Sequence, residues 1–172
     1  MRKYFLRPGS TEMHVRRATR SDLPRLKELE RESVTAAHWS PAHYEATLAA
    51  PKGLRLVLVI EDHSVVGFLL AHHIADEWEI ENILIASAFQ RRGLGSQLLR
   101  TFLDIAKQSG TKSIFLEVRE SNQAARALYE KSGFAQSGRR SRYYRDPGED
   151  AILYKLEVES CHPAVPNGFP PP

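Results

Sequence analysis

Between residues 78 and 106 the apolar residues of this chain change from the alternation of a strand to the spacing of a helix, about 3.6 residues per turn. The change falls on one turn, Gln90-Arg91-Arg92-Gly93-Leu94-Gly95-Ser96. Upstream, residues 78–85 read as a strand. Downstream, Leu94, Leu98, Leu99, Phe102, Leu103 and Ala106 share a helix face until Gly110 supplies a stop. Two glycines let the backbone turn tightly and aim its N–H groups outward at a helix N-terminus, where the dipole favours an anion such as phosphate. The turn is not a dinucleotide fingerprint, because G-x-G-x-x-G would need glycine where Leu98 stands. Nor is it a P-loop, since no Gly-Lys-Ser/Thr follows. Two glycines alone also suit an ordinary helix start.

The remaining pattern frames that turn. Residues 13–18 read as a strand, and Ser21 and Pro24 open a helix to about residue 34, with Leu23, Leu26 and Leu29 on one stripe. A second helix is expected after Ser40-Pro41, ending before Pro51. Residues 55–61, 64–75 and 78–85 are β-rich, and the short Glu61-Asp62-His63 connection makes the first two a hairpin. Residues 113–118 form a strand, 122–131 a helix stopped by Gly133, and 134–143 and 150–158 two closing strands. The order βααβββαβαββ, with one βαβ unit in the middle, predicts a mixed, mostly antiparallel α/β sheet of about seven strands flanked by four helices.

At 172 residues the chain suits one domain, expected over 13–159, with a loose arm at 1–12 and a disordered tail at 160–172 rich in proline (Pro163, Pro166, Pro170, Pro171, Pro172). With 42% hydrophobic and 26% charged residues it is globular in type, and the lone Cys161 excludes an internal disulfide. No apolar run approaches the ~20 residues of a membrane span, and the start lacks a signal-peptide core, so a cytoplasmic protein without a membrane partner is expected. The formal charge of +3 permits an anionic ligand but is too mild to argue for nucleic acid. His72 and His73 alternate across a strand and no ligand spacing matches zinc, so no metal is expected. Arg139, Arg140, Arg142 and Arg145 read as a solvated hairpin face, or as a holder of acidic substrate residues.

Two further segments carry chemistry. In Phe115-Leu116-Glu117-Val118-Arg119-Glu120-Ser121-Asn122, alternation points Glu117 opposite to Leu116 and Val118. A carboxylate there is costly unless it meets a cleft or a partner; a cleft would raise its pKa toward that of a general base, and an arginine would make it a salt bridge. In the helix from Asn122 to Gly133, Asn122 is a cap, while Leu128 and Tyr129 face inward. A tyrosine hydroxyl reaching a cleft suits proton donation to a thiolate, although core packing alone also explains it.

As a set, in this order and spacing, these segments resemble the GNAT acetyltransferase superfamily over about residues 15–158. The turn from Gln90 to Gly95 matches its Q/R-x-x-G-x-G/A pyrophosphate loop, and the Asn122 helix, with its Leu-Tyr-Glu-Lys and Gly133-Phe134, matches its second motif. The nearest branch is the bacterial ribosomal-protein alanine N-acetyltransferases, which the chain resembles at Trp39-Ser40, Leu116-Glu117-Val118-Arg119, Ser121-Asn122, Arg142-Tyr143-Tyr144 and Glu149-Asp150-Ala151-Ile152.

That resemblance implies acetyl-CoA as co-substrate and the N-terminal amine of a protein, such as a ribosomal protein, as acceptor; a small amine, a lysine or a non-catalytic acetyl-CoA sensor are the alternatives. It implies that Gln90, Arg91, Arg92, Gly93, Leu94, Gly95, Ser96 and Asn122 bind the cofactor, with the pantetheine arm beside Ile83, Leu84 and Ile85. It further implies Glu117 as general base, with Glu81 competing, and Tyr129 as general acid touching the cofactor. Trp39, Glu81, Tyr143 and Tyr144 are the expected acceptor-binding residues. The basic arm, the proline-rich tail, Glu81 and Tyr154 depart from that branch.

Overall fold

The computed structural model describes residues 13–33, 45–47 and 53–158, and in them each β-patterned run forms a strand. These are β1 (His14–Arg17), β2 (Arg55–Glu61), β3 (Val65–Ile74), β4 (Glu77–Ile85), β5 (Ser113–Arg119), β6 (Ala135–Arg145) and β7 (Gly148–Glu157). Three helices accompany them among the described residues: α1 (Leu23–Glu32), α2 (Leu94–Gln108) and α3 (Gln123–Lys131). Of the second expected helix, residues 45–47 are helical and the rest lies outside the described residues, as do the expected arm and tail.

One sheet holds all seven strands in the order β1-β2-β3-β4-β5-β7-β6. Every pairing is antiparallel except β4 with β5, whose connection runs through α2, the long crossover a parallel pair needs. Helices cover both faces, which is why β2 and β3 read as nearly continuous apolar runs. On one face Leu58, Ile60, Leu69 and Ala71 pack with Leu98, Leu99 and Phe102 of α2; on the other Val57, Val59, Phe68 and Leu70 pack with Leu26 and Leu29 of α1.

The entry to α1 differs from expectation. Ser21 lies inside a 3₁₀ turn (Arg20–Asp22), and Asp22 organises the start by accepting from the Thr19 backbone N–H (2.7 Å) and hydroxyl (3.0 Å). Asp22 wins over Ser21 because its carboxylate also receives the Arg16 guanidinium through two hydrogen bonds, 2.8 and 2.9 Å.

The feature that shapes the rest is a bulge. Leu70 pairs with Asn82 but Ala71 pairs with Ile80, leaving Glu81 as the extra residue. One added residue inverts the side-chain alternation. Before it, Trp78 and Ile80 belong to the α2 side; after it, Ile83 and Ile85 pack there, and Leu84 joins the α1 side. The ladder between β4 and β5 runs from Glu77 with Ser113 to Ile80 with Leu116 and stops at the same place, so the sheet forks. Beyond the fork β4 presses on β3 at Gly67, where a Cβ would sit 2.4 Å from Ile85 Cδ1 and 2.6 Å from the Leu84 carbonyl oxygen.

Candidate active site

The fork opens into a cleft of about 640 Å³, bordered by β4 from Glu81 to Ile85, the glycine turn, Asn122 and α3, Glu117 and Arg119 of β5, and Tyr144 of β6. The three sequence motifs therefore meet at one place. The end of α1, Leu29, Glu32 and Ser33, closes the far side.

The turn is pinned as its residues require. Gly93 caps α2 at φ 80°, a left-handed conformation costly to any residue with a Cβ, and Arg91 accepts a similar φ of 63°. Gln90 Nε2 donates to the Ile85 carbonyl oxygen at 3.0 Å, tying the turn to the strand before it, and the Arg92 guanidinium lies 5.1 Å over the Phe89 ring. Gln97 N–H donates to the Gly93 carbonyl, so Leu94, Gly95 and Ser96 form the first turn, whose N–H groups have no intrahelical acceptor. Gly95 faces Leu128 of α3, 3.4 Å from where a Cβ would sit, and borders the cleft. These donors suit a pyrophosphate.

Along β4, Ile83, Leu84 and Ile85 lie beyond the last rung shared with β5, so that edge is open to an extended ligand. Asn82 Nδ2 is buried against the same cleft with no hydrogen-bond partner among the described residues. An orphaned buried donor is expensive in an empty protein and suits a site that receives a ligand carbonyl. On the other wall Asn122 caps α3, its Oδ1 accepting from Ala125 N–H at 3.2 Å.

Two carboxylates stand at the fork in different surroundings. The Glu81 side chain is 10% exposed; Arg55 Nη1 lies 3.3 and 3.4 Å from its two oxygens and His72 Nδ1 3.5 Å from Oε1. Burial pushes this carboxyl up to about 7, against the pull of Arg55 and with a push from Glu79. One long-range N–H shared between both oxygens is a weak counter-ion, so desolvation prevails. Burial, with Arg55 nearby, lowers the His72 pKa and keeps its ring neutral. Glu117, by contrast, is ion-paired with Arg140 Nη1 at 2.9 Å, and its carboxylate pushes the Tyr143 hydroxyl up. Glu117 also borders a smaller hollow of about 260 Å³ shared with Ile74, Glu77, Phe115 and Arg140.

Tyr129 is buried, its ring 5.9 Å from Phe134 and 6.1 Å from Tyr154, and burial raises its hydroxyl well above the usual tyrosine value. Tyr154 fixes α3 to β7, donating to Glu130 (2.5 Å) and accepting from Arg126 Nε (3.2 Å). Of the two β6 tyrosines, Tyr144 lines the cleft under the Arg119 guanidinium (4.1 Å), its hydroxyl pushed up to about 12 by burial, while Tyr143 is 47% exposed. Arg119 is held in turn by Glu149 at 3.4 Å. Trp39 lies outside the described residues.

Sequence reasoning missed Arg55 and His72 as residues of this region, and it did not foresee that Arg140 pairs with Glu117. Arg55 and His72 are register partners, but a one-residue shift between Ile60 and Glu61 hides that pairing from any count outward from the hairpin. No helix among the described residues is long and apolar enough to cross a membrane.

Known proteins are similar to this chain in sequence and fold. The family model described as "Acetyltransferase (GNAT) family" matches residues 23–134. The N-alpha-acetyltransferase RimI of Mycobacterium tuberculosis is 36% identical over 85% of this chain and 92% of its own. The ribosomal protein bS18-alanine N-acetyltransferase of Escherichia coli is 34% identical over 80% of this chain and 93% of its own. The crystal structure of the ribosomal-protein-S18-alanine N-acetyltransferase from Escherichia coli superposes with a TM-score of 0.79 at 29% identity, covering 90% of this chain and 99% of that one.

Proposed function

This chain belongs to the GNAT acetyltransferase family, and we propose that within it the chain acetylates the N-terminal α-amine of a protein, with acetyl-CoA as donor. It is an acyltransferase that moves an acetyl group to an amine. The observation that carries the reading is the convergence of the glycine turn, the open β4 edge, Glu117 and Tyr129 on one cleft. Relatives named for the alanine N-terminus of ribosomal protein bS18 make such a terminus the first acceptor to test.

In this reading the N–H groups of residues 94–96 hold the pyrophosphate, with Gln90, Arg91 and Arg92 around them and Asn122 opposite. The edge of Ile83, Leu84 and Ile85 aligns the pantetheine arm, and backbone N–H there polarises the thioester carbonyl. Acetyl-CoA supplies the activated acyl carbon. Glu117 takes a proton from the attacking nitrogen, Tyr129 gives one to the departing sulfur, and Tyr144 with Glu81 walls the acceptor's side. An α-amine suits a single carboxylate base. Its pKa of about 7.7–8.0, against about 10.4 for lysine, makes the neutral form roughly 3 kcal/mol easier to reach near pH 7.

The test is mass spectrometry of products from acetyl-CoA and a panel of peptides with a free N-terminal alanine, the same peptides blocked, internal lysines, polyamines and aminoglycosides. Acetylation confined to free N-termini is expected. Modification of lysines or small amines alone would replace this acceptor, and no thiol release with any amine would leave an acetyl-CoA-binding module.

A further inference from the structure

Tyr144 borders the cleft from a place that strand pairing alone holds poorly. It lies on β6, the outermost strand, whose one neighbour in the sheet is β7. The ladder between them breaks after Arg140 with Ala151 and resumes at Tyr144 with Glu149 and Arg145 with Gly148. Within the break Arg142 takes a φ of 52°, in the left-handed region, so the end of the hairpin is set apart from the regular sheet. Pairing of this kind, at the tip of an edge hairpin, opens first. We propose that Arg119 is a positioning residue for the acceptor: its guanidinium ties the β6–β7 hairpin to the end of β5 and so holds the Tyr144 ring at the cleft wall. This rests on the α-amine reading above, in which Tyr144 walls the acceptor's side.

One planar group makes all of these contacts. Its central carbon lies over the Tyr144 ring, 4.1 Å from the centroid. Its N–H groups donate into the turn that carries the ring: Nη1 to the Pro147 carbonyl at 3.3 Å and to Glu149 Oε2 at 3.4 Å, and Nη2 to the Asp146 carbonyl at 3.1 Å. A guanidinium can stack by its face while its N–H groups fork in its plane, which the ammonium of a lysine cannot do. The Arg119 side chain is 14% exposed and that of Glu149 16%, so water competes little for these bonds.

The hairpin end of the clamp is itself fixed. Glu149 Oε1 accepts from the Ser121 N–H, in the connection between β5 and α3, while Oε2 meets Arg119. That backbone bond, with the Arg119 guanidinium, holds the Glu149 carboxyl below the usual range, so it is ionised at neutral pH.

The strand that anchors the hairpin also carries Glu117. Arg119 stands two residues further along β5, and alternation puts both side chains on one face, where both border the cleft. Tyr144 is therefore placed by reference to the strand that bears the carboxylate, and the spacing of ring and carboxylate is set within one supported unit. The pyrophosphate cradle is built separately, from the first turn of α2. Loosening the clamp thus falls on the acceptor's seat and spares that of acetyl-CoA.

Kinetics of three variants test this. Arg119→Lys retains a positive charge beside Glu149 and loses the ring contact and the fork. The KM for a peptide with a free N-terminal alanine should rise about five- to tenfold, the worth of a lost cation–π stack with its hydrogen bonds. The kcat and the KM for acetyl-CoA should stay within about twofold of wild type. Tyr144→Ala should raise the same peptide KM, and adding Arg119→Lys to it should raise it no further, because the two residues act as one. Glu149→Gln keeps an acceptor for the Ser121 N–H and weakens the hold on Arg119. It should shift the peptide KM the same way by less, and its result stands even if Arg119→Lys unfolds. An unchanged peptide KM, additive effects in the double variant, or equal losses for both substrates would overturn the clamp.

A second readout needs no acceptor. In NMR of the protein alone, with its tyrosine rings labelled, the Tyr144 signal is identified by its absence from Tyr144→Phe. It should move and broaden in Arg119→Lys and, by less, in Glu149→Gln; a signal that stays in place overturns the positioning role. Failure of wild-type protein to acetylate any N-terminus would instead sink the acceptor assignment, with the ring signal still deciding whether Arg119 holds Tyr144.

Discussion

Glu81 and Glu117 are the next residues after the last rung, Ile80 with Leu116, on two strands that part company there. Each stands at the root of the fork, one on either side of the cleft. Their surroundings diverge: Glu117 meets Arg140 on a hairpin that reaches solvent, whereas Glu81 is enclosed with Arg55 and His72. Two carboxylates of one sheet thus receive different electrostatic settings from strand divergence alone.

Replacing Glu117 with Gln retains the shape of the wall and removes the proton acceptor. The expected outcome is a fall in kcat of about 10²–10⁴-fold at every pH from 6 to 9, read by thiol release with an N-terminal peptide. A rate within twofold of wild type would take the base role from Glu117.

Tyr129→Phe keeps the ring contacts with Phe134 and Tyr154. Burial raises the hydroxyl's pKa, so at neutral pH it stays protonated and able to donate. Turnover should fall by about 10²-fold, while acetyl-CoA affinity by calorimetry and the melting temperature stay near wild type. An unchanged rate assigns the side chain to packing.

Gly93 and Gly95 should fail differently. At Gly93 there is open space around a Cβ but φ is 80°, so Gly93→Ala costs about 1–2 kcal/mol of stability through backbone conformation. At Gly95 an added Cβ makes only ordinary contact with Leu128, so Gly95→Ala should melt like wild type. It should nonetheless weaken acetyl-CoA binding about tenfold, the worth of one charge-assisted hydrogen bond to the pyrophosphate. Thermal melts and calorimetry on the two variants check the contrast.

Asp22 gives the fold a dependence on acid. The Arg16 guanidinium beside it, with the Thr19 N–H, holds its carboxyl at about 2. A folded pKa below the unfolded value of about 3.9 means a contribution that is full above pH 4 and is lost as pH falls through 2. Asp22→Asn should therefore cost about 1–2 kcal/mol at pH 7, discounted for the partly exposed Arg16. In urea titrations the gap from wild type should close by about pH 2.

Most of the architecture was legible because local rules and tertiary structure agree here. The hairpin, the period change at Gly93 and the Asn122 cap are written into adjacent residues. The β4 bulge shows in the sequence only as a change of parity, apolar residues standing at Trp78 and Ile80 and then at Ile83 and Ile85; which residue is extra is set by the pairing of Leu70 and Ala71 across β3. The same limit applied to the site. Glu117 and Tyr129 sit inside recognisable motifs, while Arg55 and His72 join Glu81 only through the register of three strands, and Arg140 reaches Glu117 from a neighbouring hairpin.

The inserted residue at position 81 also says how such a catalyst can be lost. Deleting it would put Ala71 and Leu70 opposite consecutive residues, keep Trp78, Ile80, Ile83 and Ile85 on one face by plain alternation, and let β4 zip onto β5 past Leu116. The product would be a better-knit sheet with no opening. Here a single codon separates a beam from a hinge-like gap, so the machinery is vulnerable to a shortening that would leave the protein sturdier and chemically mute.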